Sequence, residues 1–414
     1  MTHGARSIPV VLALLIGTAL QAQSPRTGTP ESVGMSAERL ARIRTAMHAM
    51  VDASQLSGVE TLIARRGVIV HHERIGVAED AIFGIASMTK PVTSVAIMML
   101  LEEGKLLLSD PLSRFIPAFR EMRVVASQGS TSNGNDPGTV PATRQITIDD
   151  LLTHTSGLVY GFIDRGPVGE SYKKNGVYDG LGGRRPPSLA DQMDLLARQP
   201  LKFQPGTAYS YSIGIDVLGR IVEVASGMSL DEFFRVRIFE PLGMRDTSFS
   251  LSSGNASRLV PLHAIDKGAL VRAKDQGSYT EVKYFSGGAG LVSTARDYLR
   301  FAQMLLNGGE LEGVRLLSRK TVELMTESHT IDIGPSAVSS GYGFGYGFAV
   351  RESLGLSSRL GSEGMYTWSG ILGTYFWVDP KEQLAAVMML QLYPRPDERA
   401  REVFTALTYA AIQN

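Results

Sequence analysis

Apolar residues recur at helical spacing through Ser36–Ala53 (SAERLARIRTAMHAMVDA), behind a Ser-x-x-Arg start, and predict an amphipathic helix. Two β-rich runs follow, Val59–Ala64 and Val68–Ile75, joined through Arg65-Arg66-Gly67 in a way that predicts a hairpin. His71-His72 falls in the second strand, where a surface position is expected rather than a ligand role. Pro91–Leu101 (PVTSVAIMMLL) is apolar on all sides, which predicts a buried helix. After Glu102-Glu103-Gly104 the pattern changes. Ser127–Pro141 and Gly161–Pro187 are rich in Gly, Pro and polar residues and read as long loops. Helical patterns lie at Ile148–Thr153, Leu189–Arg198, Ile213–Ala225 and Leu230–Phe239. From Ser286 (SGGAGLVSTARDYLRFAQMLLNGG) a capped helix leads to strands at Gly345–Arg351, Thr367–Val378 and Leu384–Gln391, then to an amphipathic helix over Pro396–Ile412. Strands at both ends with helices between predict an α+β fold: a sheet domain from residues 36–102 and 285–414, and a mostly helical domain with long loops over 103–284. A hairpin ahead of the first buried helix argues against a parallel doubly wound sheet.

Composition narrows the chemistry. Lys+Arg and Asp+Glu both number 41, so no basic field points to nucleic acid or an anionic membrane, and small neutral substrates become the default. The chain has no cysteine, which excludes disulfides, thiolate catalysis and cysteine-bound metals. None of the 7 histidines shows helical metal-ligand spacing. Near the start, Arg6 precedes an apolar run from Ile8 to Leu20, and Gln21-Ala22-Gln23 follows. Such a run is short for a membrane span and matches a secretory signal over residues 1–22, cut after Ala22, so a periplasmic or secreted protein with no lasting membrane insertion is expected.

Ser87-Met88-Thr89-Lys90 stands at the mouth of the buried helix. Pro91 is tolerated only in a first helical turn, so the helix starts close to Ser87 and places its hydroxyl at the positive end of the dipole. Ser87 and Lys90, three positions apart, share a helix face. A hydroxyl is a poor nucleophile until a base takes its proton, and a lysine serves as that base once burial lowers its pKa. Taken alone, the tetrad fits equally an N-cap serine followed by a surface lysine. A second copy, Ser171-Tyr172-Lys173-Lys174, has no apolar helix behind it and reads as chance.

Two later stretches bear on the choice. Tyr209-Ser210-Tyr211-Ser212 precedes a helix, and a phenol beside Lys90 would share its proton-transfer work; two aromatics packing at a helix entrance is the plainer alternative. Trp368–Tyr375 (WSGILGTY) reads as a strand with two glycines, the mark of a close backbone approach or of a bulge. Running past Ser87, it would offer one backbone amide to a developing oxyanion beside the amide of Ser87 itself. No Gly-x-Ser-x-Gly elbow occurs, which weakens a Ser-His-Asp alternative.

In this order and spacing the three stretches resemble the serine β-lactamase and penicillin-binding-protein superfamily, most closely the class C-like esterases called family VIII carboxylesterases. Leu151–Leu158 (LLTHTSGL), Tyr211–Gly219 (YSIGIDVLG) and Gly287–Leu291 (GGAGL) extend the resemblance over nearly the whole mature chain. It implies a β-lactamase/transpeptidase-like fold, an antiparallel sheet flanked by helices with a mostly helical insertion. It further implies Ser87 as nucleophile, Lys90 as base, Tyr211 as proton shuttle with Tyr209 as its competitor, and an oxyanion hole from the amides of Ser87 and Ile371. Trp368-Ser369-Gly370 occupies the place of the lactamase Lys-Thr-Gly motif, so Trp368 and Gly370 are expected to bind substrate. Two departures stand out. The lactamase Tyr-x-Asn reads Tyr211-Ser212-Ile213, and Trp368 replaces a lysine whose charge would attract a carboxylate. Both point toward uncharged esters. The expected activity is a carboxylesterase acting through an acyl-enzyme without metal or cofactor. A short-peptide amidase or D-alanyl carboxypeptidase, a weak β-lactamase and a non-catalytic ligand-binding relative are the alternatives.

Overall fold

The computed structural model describes residues 26–126, 138–180, 185–274, 279–333, 338–394 and 398–414. The expected leader and residues 127–137 of the first long loop lie outside them. The central sheet has eight strands: β1 (Arg26–Thr27), β2 (Val59–Arg65), β3 (Val68–Ile75), β4 (Tyr342–Phe344), β5 (Ala349–Arg351), β6 (Tyr366–Ser369), β7 (Tyr375–Asp379) and β8 (Leu384–Met389). Their spatial order is β1-β3-β2-β8-β7-β6-β5-β4. Neighbours are antiparallel except β1 and β3, so the expected antiparallel sheet carries one parallel pair at its edge.

Alternation along the strands builds two cores. Leu62, Ala64, Phe376, Val378, Ala385, Val387 and Met389 point to the face covered by α2 (Thr89–Glu102) and α8 (Ala295–Leu306). Val59, Ile63, Tyr375, Trp377, Leu384, Ala386 and Met388 point to the other, covered by α1 (Ala37–Asp52) and α9 (Arg399–Ala410). Both faces are dry, which is why these strands read as nearly continuous apolar runs. In α2 every residue from Thr89 to Leu100 is buried. Its outer side meets the helical layer: α3 (Ile148–Leu152), α4 (Pro167–Lys174), α5 (Leu189–Leu196), α6 (Gly214–Ser226) and α7 (Leu230–Phe234), of which α6 packs directly on α2. Among the described residues no helix is long and apolar enough to cross a membrane.

Several expectations change in detail. The run read as one strand over Thr367–Val378 is a hairpin, because Gly370 and Gly373 close a turn between β6 and β7. The loop read over Gly161–Pro187 contains α4, and Ser171 and Lys174 lie on that helix, with Ser171 Oγ donating to Gln199 Oε1. The helix expected from Ser286 begins only at Ala295, where Thr294 accepts from the Asp297 amide as N-cap; the carbonyls of Gly287 and Gly288 instead meet α2, and Val292–Ser293 pair with Phe83–Gly84. His71 is buried rather than on the surface: its ring contacts Phe404 and its Nε2 pairs with Thr61 Oγ1 at 2.8 Å.

Candidate active site

Ser87 lies in a short 3-10 turn, Ala86–Met88, that leads straight into α2. Ala86 just before it has φ 43°, a left-handed conformation costly for a residue with a Cβ. A two-stranded ribbon of Phe83–Gly84 with Val292–Ser293 leads the chain into this turn. One helical turn on, Lys90 is wholly buried; its Nζ donates to Ser87 Oγ at 3.3 Å and to the Gly288 carbonyl at 2.8 Å. The Thr93 hydroxyl holds the adjacent Gly287 carbonyl at 2.6 Å, which fixes the glycine pair against α2. Burial lowers the Lys90 ammonium to about 7, against the opposing pull of the Asp216 carboxylate. A fully buried amine poised near neutrality beside a hydroxyl is the arrangement a general base requires.

Aromatic rings enclose the amine. Lys90 Nζ stands 4.6 Å from the ring centre of Tyr211 and 5.1 Å from that of Tyr160. The Tyr211 ring packs 5.3 Å from Trp368, whose indole meets Phe344 at 5.2 Å. Among the described residues the Tyr211 hydroxyl and the Trp368 indole nitrogen are buried and make no hydrogen bond of ordinary geometry, although the phenol lies near both the Ser87 hydroxyl and the indole. Burial pushes the Tyr211 phenol above its ordinary value, and its nearness to the Ser87 hydroxyl and the Trp368 indole offsets part of that rise. Tyr209 has a different setting: its ring packs on Phe344 and His154. Of the two candidate phenols, Tyr211 is the one set over Lys90.

The β6–β7 turn closes the third side. A Cβ on Gly370 would overlap the carbonyl of Ile85, so only glycine lets this backbone come so close to the turn that carries Ser87. Its amide donates to Thr374 O at 2.8 Å, and the Thr374 hydroxyl donates to Ile85 O at 3.2 Å, which ties the turn to the chain two residues before Ser87. The Ile371 amide donates to no carbonyl among the described residues.

Four residues not singled out from the sequence complete the surroundings. Asp216, on α6, is buried; burial raises its carboxyl, while the Ser286 hydroxyl, the Lys90 charge and the Tyr284 hydroxyl, 3.2 Å away, oppose the rise. An acid within Ile215-Asp216-Val217-Leu218, on an otherwise apolar helix face, was a legible signal. Gly288 is required because a Cβ there would run into Asp216 and the Tyr160 hydroxyl. His154 lies in the Leu151–Leu158 stretch that carries the resemblance but has no role there, and Tyr160 has no local signal; only the tertiary fold brings them to Tyr211 and Lys90. Among the described residues no group of three or more His, Asp or Glu side chains is arranged to hold a metal ion.

A model of the beta-lactamase family matches residues 43–410. Protein Rv1367c of Mycobacterium tuberculosis (strain ATCC 25618 / H37Rv) is 36% identical over 365 residues, which cover 83% of this chain and 88% of that one. Esterase EstB of Burkholderia gladioli is 30% identical over 390 residues, covering 87% and 92%. The solved structure of EstCE1, described as a hydrolase with promiscuous acyltransferase activity, superposes with a TM-score of 0.77 at 26% identity and covers 90% of this chain and 99% of its own.

Proposed function

The chain belongs to the beta-lactamase family, and within it we propose that the protein is a serine carboxylesterase that works through an acyl-enzyme on Ser87. The observation that carries this reading is the buried Lys90 amine, held near neutrality 3.3 Å from the Ser87 hydroxyl. Neutral Lys90 takes the Ser87 proton as Oγ attacks the ester carbonyl. The amides of Ser87 and Ile371 receive the oxyanion. Tyr211, set over Lys90, passes the proton to the leaving alcohol as the C–O bond breaks. Water then attacks the acyl carbonyl through the same pair, the acid departs and Ser87 regains its proton.

Substrate charge follows from the walls. Trp368 packs on Tyr211 and Gly370 lies against Ile85 beside the Ser87 turn, and an indole in place of an ammonium offers apolar surface without attraction for a carboxylate. Uncharged esters suit such a site, in keeping with the name of the relative EstB. A second reading, transfer of the acyl group to an alcohol instead of water, draws on the aromatic enclosure and on the acyltransferase activity described for EstCE1. The run from Ile8 to Leu20 supports export, and N-terminal sequencing of the processed protein from the periplasm or medium tests it.

The decisive experiment compares wild type and Ser87→Ala on short-chain nitrophenyl esters, a chromogenic cephalosporin and a peptide anilide. Ester turnover is expected to dominate and to fall at least ~10³-fold in the variant. A fluorophosphonate probe is expected to modify the peptide that contains Ser87. Equal rates in the two proteins sink the reading, and preference for the anilide replaces it with an amidase.

A further inference from the structure

We propose that His154 is a positioning residue that clamps the chain on both sides of Tyr211 and so holds its hydroxyl in line for proton transfer. The proposal rests on the acyl-enzyme reading above, in which Tyr211 protonates the leaving alcohol. Two hydrogen bonds define the clamp. The Ser210 amide donates to the backbone carbonyl of His154 at 2.9 Å, and the Ser212 amide donates to its ring Nδ1 at 3.3 Å. One residue, at Tyr211, separates these anchors.

The pattern also assigns the ring's proton. A backbone amide can only donate, so Nδ1 is bare and the hydrogen sits on Nε2. The Ser212 hydroxyl, 3.1 Å from Nδ1, is then the donor of that contact, and its oxygen accepts from the Gly214 amide at the start of α6. Among the described residues the Nε2 end is buried without a partner, and the imidazole meets the Tyr211 ring edge-on with centroids 4.9 Å apart. Phe344 at 5.0 Å and Tyr209 at 6.0 Å enclose the rest of it. Burial and the charge of Lys90 keep the imidazole neutral, so Nδ1 remains an acceptor while Lys90 titrates.

His154 is itself held in an unusual backbone conformation, φ 58°. The support is α3, which it follows by two residues: Thr147 and Asp150 make a capping box, Arg144 pairs with the Asp150 carboxylate, and the Thr155 amide returns to Asp150 O at 2.8 Å. A strained residue on an over-determined platform, gripping the segment that carries the phenol, is how a site keeps one side chain from drifting.

The test separates strain from clamp. Asparagine tolerates φ near +58° and offers an acceptor near the Nδ1 position, whereas glycine tolerates the conformation and offers none. His154→Asn and His154→Gly are compared with wild type on two esters of one acid: nitrophenyl butyrate, whose phenolate departs unaided, and ethyl butyrate, whose alkoxide needs a proton. Both give the same acyl-enzyme, so kcat/KM reads acylation in each case. His154→Gly is expected to lose ~10²-fold on ethyl butyrate and less than ~10-fold on nitrophenyl butyrate, the cost of a misplaced proton donor. His154→Asn is expected to keep the wild-type ratio between the two esters within about threefold, a comparison that stands even where the glycine variant does not fold. Equal losses on both esters in His154→Gly overturn the clamp, as does a ratio shifted more than ~10-fold in His154→Asn. Wild-type enzyme inert toward both esters removes the esterase reading and this role together.

Discussion

Replacing Lys90 with methionine keeps most of the buried volume and deletes the charge. Burial has lowered the amine from 10.5 to about 7, so charging it is harder in the folded protein than in the unfolded chain. Between those two values the unfolded chain binds more protons, and wild-type stability therefore rises with pH across the window. At pH 9, about two units above the folded value, the gain is about 3 kcal/mol, and the whole shift bounds it at about 5 kcal/mol. Lys90→Met lacks this term. Its stability relative to wild type is expected to fall by about 3 kcal/mol from pH 6 to pH 9, with the variant relatively best at the acid end. Urea unfolding at the two pH values measures the difference. Asp216 is the carboxylate whose charge acts on the amine, so repeating the pair in an Asp216→Asn background removes its contribution. A difference that stays constant between pH 6 and 9 would refute the assignment of a depressed lysine, and with it the base.

The same titration sets the rate. On a neutral ester, kcat/KM is expected to rise tenfold per pH unit on the acid side and level off above about 7, as Lys90 loses its proton; a profile flat down to pH 5 contradicts this. Because the Asp216 charge raises the amine, Asp216→Asn is expected to move that limb to lower pH, and a shift the other way counts against the electrostatic coupling. Phe162 is 36% exposed with its ring 5.1 Å from Tyr160, so it forms an apolar lip to the aromatic enclosure. Phe162→Ala is expected to raise KM several-fold for octanoyl esters and leave acetyl esters unchanged; equal KM changes on both would remove it from the acyl path. Trp368→Lys restores a cation where the lactamase motif has one, and is expected to lower ester turnover ~10-fold while raising turnover of a carboxylate-bearing cephalosporin. Unchanged relative rates would detach Trp368 from substrate choice.

The parts of the site legible in the sequence are those built by local rules. Ser87 and Lys90 follow from a proline in the first turn and an apolar run behind it, and α2 is indeed buried throughout. The glycines near Trp368 announced a close approach, which Gly370 makes against Ile85, but their turn chemistry was absorbed into a single strand. The surface expected for His71 failed because strand alternation leaves open which face a helix will cover, and α9 brings Phe404 over that ring. The run from Ser286 reads as a helix start, yet Thr294 has the cap, and the preceding glycines present their carbonyls to Thr93 and Lys90 instead. Tyr160 and His154 reach the centre through tertiary contacts alone, and no window of the sequence contains that information.

Gly288, whose carbonyl grips Lys90, lies 198 positions further along the chain, and the sheet that backs the nucleophile helix is completed only when β8 pairs with β2. The site therefore depends on contacts between segments far apart in the chain. A polypeptide that has emerged through α7 already has its nucleophile, base and phenol, but lacks the carbonyl that orients the amine, the Trp368 wall and the Gly370 turn. Closing a loop of that span is slow compared with forming the helices within it. Until the C-terminal strands are in place, Lys90 lacks the carbonyl that orients it, so the pairing of β8 with β2 and the orientation of the amine belong to one cooperative folding event.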